Sequence, residues 1–318
     1  MTPQKLLTGL LGVQVLLAAV TWWPGAGETP SRAVFPFDAD AVTQMRVQSA
    51  TTDNDANPDG LVLERRGEDW VVKSEYGYPA IAEKVDEVLD KLVALKVRDP
   101  ITLQSASHDQ LNVGDSATRR VTLTAGDQEV AIRLGVAGNN RSHLRFEGEN
   151  PVYIVSGLGA WAVRDSSNGY IERKALDVKA GDLETYTLEN PAGSFTLVRG
   201  PDNGWTSPSL QDGQQLDPEK VSKLFRETLS VNITRPADPA LDPFGRPGAA
   251  IVRWSAPVDG QSVENAVAII EHDGNGIVRV QDQALPVMSG SINMRNTFMQ
   301  TTLDRLLVGA PEAPVEIH

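Results

Sequence analysis

Oxygen-bearing side chains fall at every second position in Asp53-x-Asp55-x-Asn57-x-Asp59-Gly60, and Glu64 is twelfth counting from Asp53. Calcium is a hard cation that gathers about six to eight oxygen ligands, and alternate ligands closed by a glutamate at the twelfth position are the spacing of a calcium loop. Two features oppose that chemistry. The sixth position is Pro58, where such a loop turns on glycine, and the flanks at 45–47 and 61–63 alternate like strands rather than helices. The candidate ligands Asp53, Asp55, Asn57, Asp59 and Glu64 are therefore weighed against an acidic, solvated hairpin loop. That loop is the expected reading, with no resident metal and no cofactor.

Other reactive patterns are sparse. His108, His143, His272 and His318 never stand four apart, no His-Glu-x-x-His occurs, and cysteine is absent. A zinc site has few ligands to draw on. Gly-x-Ser-x-Gly is missing, and Ser156-Gly157 and Ser289-Gly290 follow apolar runs in both halves of the chain, as a shared turn would. Gly157-Leu158-Gly159 lacks the third glycine of a dinucleotide loop, and there is no phosphate-loop lysine motif. Acidic residues number 42 against 29 basic, spread along the chain, so no carboxylate pair of the kind a glycosidase uses stands out. Trp70 and Trp205 could stack on sugar rings, but their equivalent places in the two halves favour packing against a helix. Exposure of Trp161, Trp254 or Tyr170 beside a groove would favour ligand binding instead. Asn140-Arg141-Ser142 and Asn232-Ile233-Thr234 match the glycosylation sequon. No catalytic residues are assigned, and the chain is not expected to be an enzyme.

The elements carrying these residues occur twice. Glu83-Lys84-Val85 opens a stretch with Val88, Leu89 and Val93, and Glu219-Lys220-Val221 opens another with Leu224, Phe225 and Leu229, offset by 136 residues. Apolar residues three and four apart lie on one helical face, which predicts helices over 82–97 and 218–231. Asp217-Pro218 supplies an N-cap and a first-turn proline; the first copy has Ile81-Ala82 there. Before each helix lies a strand pair, 61–65 with 70–72 and 194–198 with Trp205. After it, alternation predicts strands at 120–124, 130–134 and 152–155, answered by 250–254, 267–271 and 277–280. Turns at Asn139-Asn140 and Asp273-Gly274-Asn275-Gly276 separate them, and a last helix spans 292–307. The predicted fold class is α+β: a tandem duplication of an antiparallel sheet with one long helix against it. The units run 33–176 and 182–310, followed by a tail over 311–318.

Everything hangs on the N-terminus. Eighteen uncharged residues, Leu6 to Trp23, follow Lys5, long enough for the membrane's hydrocarbon core, and Trp22-Trp23 suit the aromatic belt. Arg32 is the next positive charge, so the N-terminus stays cytoplasmic and the bulk is exported. A cleaved signal peptide is the competing reading, but Trp-Trp-Pro-Gly-Ala-Gly is a poor cleavage site. Residues 1–24 are thus expected to be a single-pass anchor in a bacterial inner membrane, with the bulk in the periplasm or outside. Between Leu6 and Trp23, Thr8, Gln14 and Thr21 carry the only hydroxyl or amide side chains, and Gly9 and Gly12 miss the small-xxx-small spacing. A net charge of −13 argues against nucleic acid or anionic lipid as a partner.

The spaced set of anchor, Trp-ended strand pair, Glu-Lys-Val helix, links at 111–114 and 244–247, and Val-Tyr-Ile-Val strand at 152–155 resembles the family known as domain of unknown function 4340. The first copy departs in lacking the aspartate cap, and in a link reading Leu-Asn-Val-Gly against Phe-Gly-Arg-Pro. The resemblance implies a place beside an ABC transporter of the type linked to gliding motility. The expected function is a non-catalytic accessory protein that docks onto the permease or its extracytoplasmic auxiliary subunit. The docking surface is expected around 38–47 or on the second unit's outer face. An envelope glycan- or lipid-binding module is the alternative, and a hydrolase stands behind both.

Overall fold

A computed structural model describes residues 30–49, 60–115, 117, 119–258 and 260–310. The expected anchor, the tail and the loop ligands Asp53, Asp55, Asn57 and Asp59 lie outside them. Among the described residues no helix is long and apolar enough to cross a membrane. The first half holds β1 (Arg32–Ala33), β2 (Gln44–Gln48), β3 (Leu61–Arg66), β4 (Asp69–Val72), β5 (Tyr78–Ala80), α1 (Ala82–Val93), β6 (Lys96–Val97), β7 (Arg119–Ala125), β8 (Gln128–Gly138), β9 (Arg141–Phe146) and β10 (Val152–Ser156). The second holds β11 (Lys174–Asp177), β12 (Thr185–Asn190), β13 (Gly193–Arg199), β14 (Trp205–Thr206), α2 (Pro218–Thr228), β15 (Ser230–Asn232), β16 (Arg235–Pro236), β17 (Ala250–Val258), β18 (Gln261–His272), β19 (Asn275–Val280), β20 (Val287–Ser289) and α3 (Ile292–Gln300). The described residues form mostly antiparallel sheet, with few helices.

Two eight-stranded sheets share one strand order. The first runs β10-β9-β8-β7-β2-β3-β4-β5 and the second β16-β20-β19-β18-β17-β12-β13-β14. Reading β2 against β12, the strands from β10 through β4 and from β20 through β14 correspond one for one. The two-stranded ribbons β1-β6 and β11-β15 also correspond. Even β16 has an echo, since Thr102 bridges Val152 at the same edge of the first sheet. Alternation buries one face of each sheet. Met45 is flanked by Leu63 and Leu123 in the first, and Tyr186 by Leu197 and Trp254 in the second. All six are buried beneath the helices. On α1 that face is Val85, Leu89 and Leu92; on α2 it is Val221, Leu224 and Phe225. Buried apolar side chains of both halves form one cluster, which includes Tyr170 and Ile171 of the connecting segment and Ala175 and Leu176 of β11.

Three expectations need correction. Both long helices stop early, because Lys96–Val97 and Ser230–Asn232 leave the helix to pair with β1 and β11. Ribbon pairing overrides the apolar spacing there. The last helix ends at Gln300, and Leu303–Leu306 form a separate 3-10 turn. The strand at 277–280 answers β9, not the one at 152–155, whose partner is β20. Strand β9 escapes pattern reading because only Leu144 and Phe146 are apolar in it, while Ser142 takes the third inward position.

Candidate functional site

The residues that repeat between halves hold the fold. Lys84 of the first Glu-Lys-Val donates from Nζ to the Ile171 carbonyl at 3.3 Å; Lys220 of the second donates to Leu307 at 3.0 Å and Ala310 at 2.7 Å. Just upstream, the Ile81 and Asp217 amides donate to the Tyr170 and Leu306 carbonyls. Asp217 also caps α2 by accepting from the Glu219 and Lys220 amides, as its sequence position predicts. A guanidinium lies over each tryptophan, Arg65 on Trp70 at 4.7 Å and Arg199 on Trp205 at 5.2 Å. Trp70 donates to Asp86 of α1 at 3.1 Å, and Trp205 packs on Phe225 of α2. Both therefore pack on helices. A third pair, Arg145 and Arg279, binds the carbonyl four residues on and grips the link segment, through Val113 in one half and Asp242 in the other.

Residues singled out for chemistry are scattered. Glu64 faces Lys73 at 2.5 Å and Arg66 at 3.3 Å, and the Lys73 hydrogen bond holds its carboxyl below the usual range. His108 lies against the Asn150 carbonyl and His143 against the Leu111 carbonyl, while His318 falls outside the described residues. Among the described residues, no three His, Asp or Glu are grouped to hold a metal. Trp254 and Tyr170 are buried, but Trp161 is 56% exposed on a 3-10 turn, one ring face covered by Arg119. Ser156-Gly157 and Ser289-Gly290 close the corresponding strands, β10 at the edge of its sheet and β20 one strand in from the edge strand β16.

The chemistry that does converge lies at the seam between the halves. A cavity of about 410 Å³ is lined from the first half by Gly60, Leu61, the Ser74–Tyr76 turn, Asp165 and Ser166. The second half contributes the Arg235–Asp238 segment, Leu241, His272, Asp273, Asn275 and Met288. Two tight turns bring these together. The β4–β5 turn closes through the Glu75 and Gly77 amides, both donating to the Val72 carbonyl, and it places Tyr76 at φ 59°. A bulky residue in that region costs about 1–3 kcal/mol and persists only where its surroundings over-determine it. The opposite turn pairs His272 with Asn275 across Asp273 and Gly274, both at positive φ, as its Asp-Gly dipeptide predicts.

Charge at the cavity is mixed. Burial raises the Glu75 carboxyl above its usual range, against the opposing pull of a Ser167 hydrogen bond and the Arg235 charge across the seam. Its Oε2 is buried without a hydrogen-bond partner among the described residues. Asp165 is fixed by Arg119 at 3.1 Å, and Arg119 in turn donates to the Val163 carbonyl. Asp238 accepts from the Ala240 amide, His272 stands 3.4 Å from Asp273, and Arg235 donates to the Met288 sulfur. The walls thus offer donors and acceptors at fixed positions.

The family described as Domain of unknown function (DUF4340) matches residues 70–242, more than half of the chain. The chain belongs to the DUF4340 family. Neither a curated protein nor a solved structure matches it. The family segment starts at Trp70 and includes both Glu-Lys-Val helices, the Glu75–Tyr76 turn and Arg235. The cavity was invisible to sequence reading because seven separated stretches build it. The Asp-Gly turn is the one local signal among them.

Proposed function

We propose that this DUF4340 protein is a membrane-anchored, non-catalytic accessory protein of an ABC-type transporter. It arose by tandem duplication and acts by docking its extracytoplasmic bulk onto the permease or its auxiliary subunit. The observation that carries the reading is the nature of what repeats. Lys84 and Lys220, the two Arg-Trp stacks, and Arg145 and Arg279 all spend their polar groups on backbone or on neighbouring elements. Selection across a duplication on fold-holding residues is what a scaffold requires, since an enzyme would preserve groups facing a cleft. Two sheets in series present broad surface for protein contact. The apolar segment from Leu6 to Trp23 supplies the attachment, with the N-terminus in the cytoplasm of a bacterial inner membrane. The ABC-transporter partner, of the gliding type, follows from the family resemblance.

The test is purification of the tagged full chain from native membrane in mild detergent, with identification of co-purifying chains. Transporter subunits should accompany it. They should also persist when residues 1–23 are replaced by an unrelated anchor of the same topology, because recognition belongs to the exported sheets. Loss of the complex on that swap would move recognition into the membrane.

A further inference from the structure

The seam cavity has no part in the docking reading, and its make-up points elsewhere. At about 410 Å³ it lies in the size range of small-molecule sites, and such sites favour the junction of two packed bodies. Its walls mix donors (Arg235, His272, Ser74) with acceptors (Asp165, Asp238, Asn275). An anionic ligand would meet the carboxylates, and a cationic one would meet Arg235. A ligand bearing hydroxyl groups suits both, because each hydroxyl donates once and accepts twice. The carboxylates are held still by contacts with their own fold, Asp165 by Arg119 and Asp238 by the Ala240 amide. Each of these has two oxygens and roughly four acceptor sites, so capacity remains for a ligand.

The rim adds the decisive piece. Tyr76 is 54% exposed and lines the cavity with its backbone at positive φ, where glycine or asparagine would sit without strain. The turn carries a large aromatic face there at the expense of local stability. An exposed ring on a tight turn, beside polar groups held by their own contacts, offers an apolar surface to one face of a ligand and hydrogen bonds to its edge.

We propose that the seam cavity is a binding site for a neutral sugar, with Tyr76 as the stacking face and Arg235 and Asp238 among its hydrogen-bonding walls. The site stands whether or not the chain docks on a transporter.

The experiment uses the full-length protein in a detergent without a sugar headgroup. Saturation-transfer NMR and calorimetry are run with N-acetylglucosamine, its β-1,4-linked disaccharide, glucose and maltose. At least one sugar should receive saturation and bind. Tyr76→Gly should weaken that binding tenfold or more while leaving the melting temperature unchanged or higher, since it relieves the strained φ. Such a split separates a ligand platform from a structural ring. If Tyr76→Gly does not fold, Tyr76→Asn makes the same comparison, because asparagine tolerates the conformation. Absence of transfer to all four sugars overturns the proposal, as does undiminished binding by the folded variant. So does a trilysine peptide that shifts signals from the Tyr76 turn when no sugar does, which would assign the cavity to a polypeptide.

Discussion

Replacing Lys220 with methionine removes a charge while keeping most of the side chain's length. In the folded protein its ammonium binds the Leu307 carbonyl at 3.0 Å and the Ala310 carbonyl at 2.7 Å, in a partly buried setting. Hydrogen bonds to charged groups contribute about 1.5–3 kcal/mol each, and water can reach part of this site, so we expect a loss of about 2 kcal/mol for the pair. Lys84 makes one longer bond of 3.3 Å, and Lys84→Met should cost about 1 kcal/mol. Amide hydrogen exchange reads the effect locally. The Val308 amide, which donates to the Gln215 carbonyl, and the Asp217 amide, which donates to Leu306, report on the Lys220 clamp. The Ile81 amide, donating to Tyr170, reports on the Lys84 clamp. Protection at Val308 and Asp217 should fall roughly thirtyfold in Lys220→Met, against about fivefold at Ile81 in Lys84→Met. Wild-type protection at all three amides in both variants would refute the clamp, and with it the structural meaning of the repeated Glu-Lys-Val.

Leu89→Asp and Phe225→Asp should each destabilise their own half by several kcal/mol, because each puts a carboxylate into a buried face, and melting curves close to wild type would show that face misassigned. Glu75 has a raised folded-state pKa, so its contribution to stability is full below the ordinary glutamate range and fades as pH climbs through its folded value; Glu75→Gln should flatten that decline in melting temperature against pH. Glu147 carries the opposite sign. Its bidentate bond from Arg133 lowers its pKa, so its stabilisation is present above the ordinary glutamate range and lost as pH falls through the folded value; Glu147→Gln should remove that acid-side loss. Calorimetric titration with millimolar calcium should release no heat, since Glu64 already faces Lys73 and Arg66; a clear binding isotherm abolished by Asp53→Asn would restore the calcium loop.

Much of the fold could be read from local pattern. Val85 and Leu89 mark the helical face at a spacing of four, Asp217-Pro218 marks where α2 begins, and alternation locates β7, β8, β17 and β18. Where reading failed, long-range partners decided. Strand β9 is held by polar contacts that look loop-like in sequence: His143 and Arg145 bind the carbonyls of Leu111 and Val113. That link can press so close because Gly135 faces it; a Cβ there would stand 2.1 Å from the Leu111 oxygen. The ribbon strands β6 and β15 continue the apolar spacing of the helices before them, so only pairing with β1 and β11 reveals them. The seam cavity had still less signal, because Glu75, Asp165, Arg235 and His272 meet only once both sheets are packed.

Docking is the central claim, and composition of the native complex tests it most directly. Affinity purification of the tagged full chain from mildly solubilised native membrane, quantified by mass spectrometry, should return subunits of an ABC-type permease in fixed ratio to the bait. That ratio should be unchanged when residues 1–23 are exchanged for an unrelated anchor. A chain that emerges alone under every mild solubilisation would contradict the account.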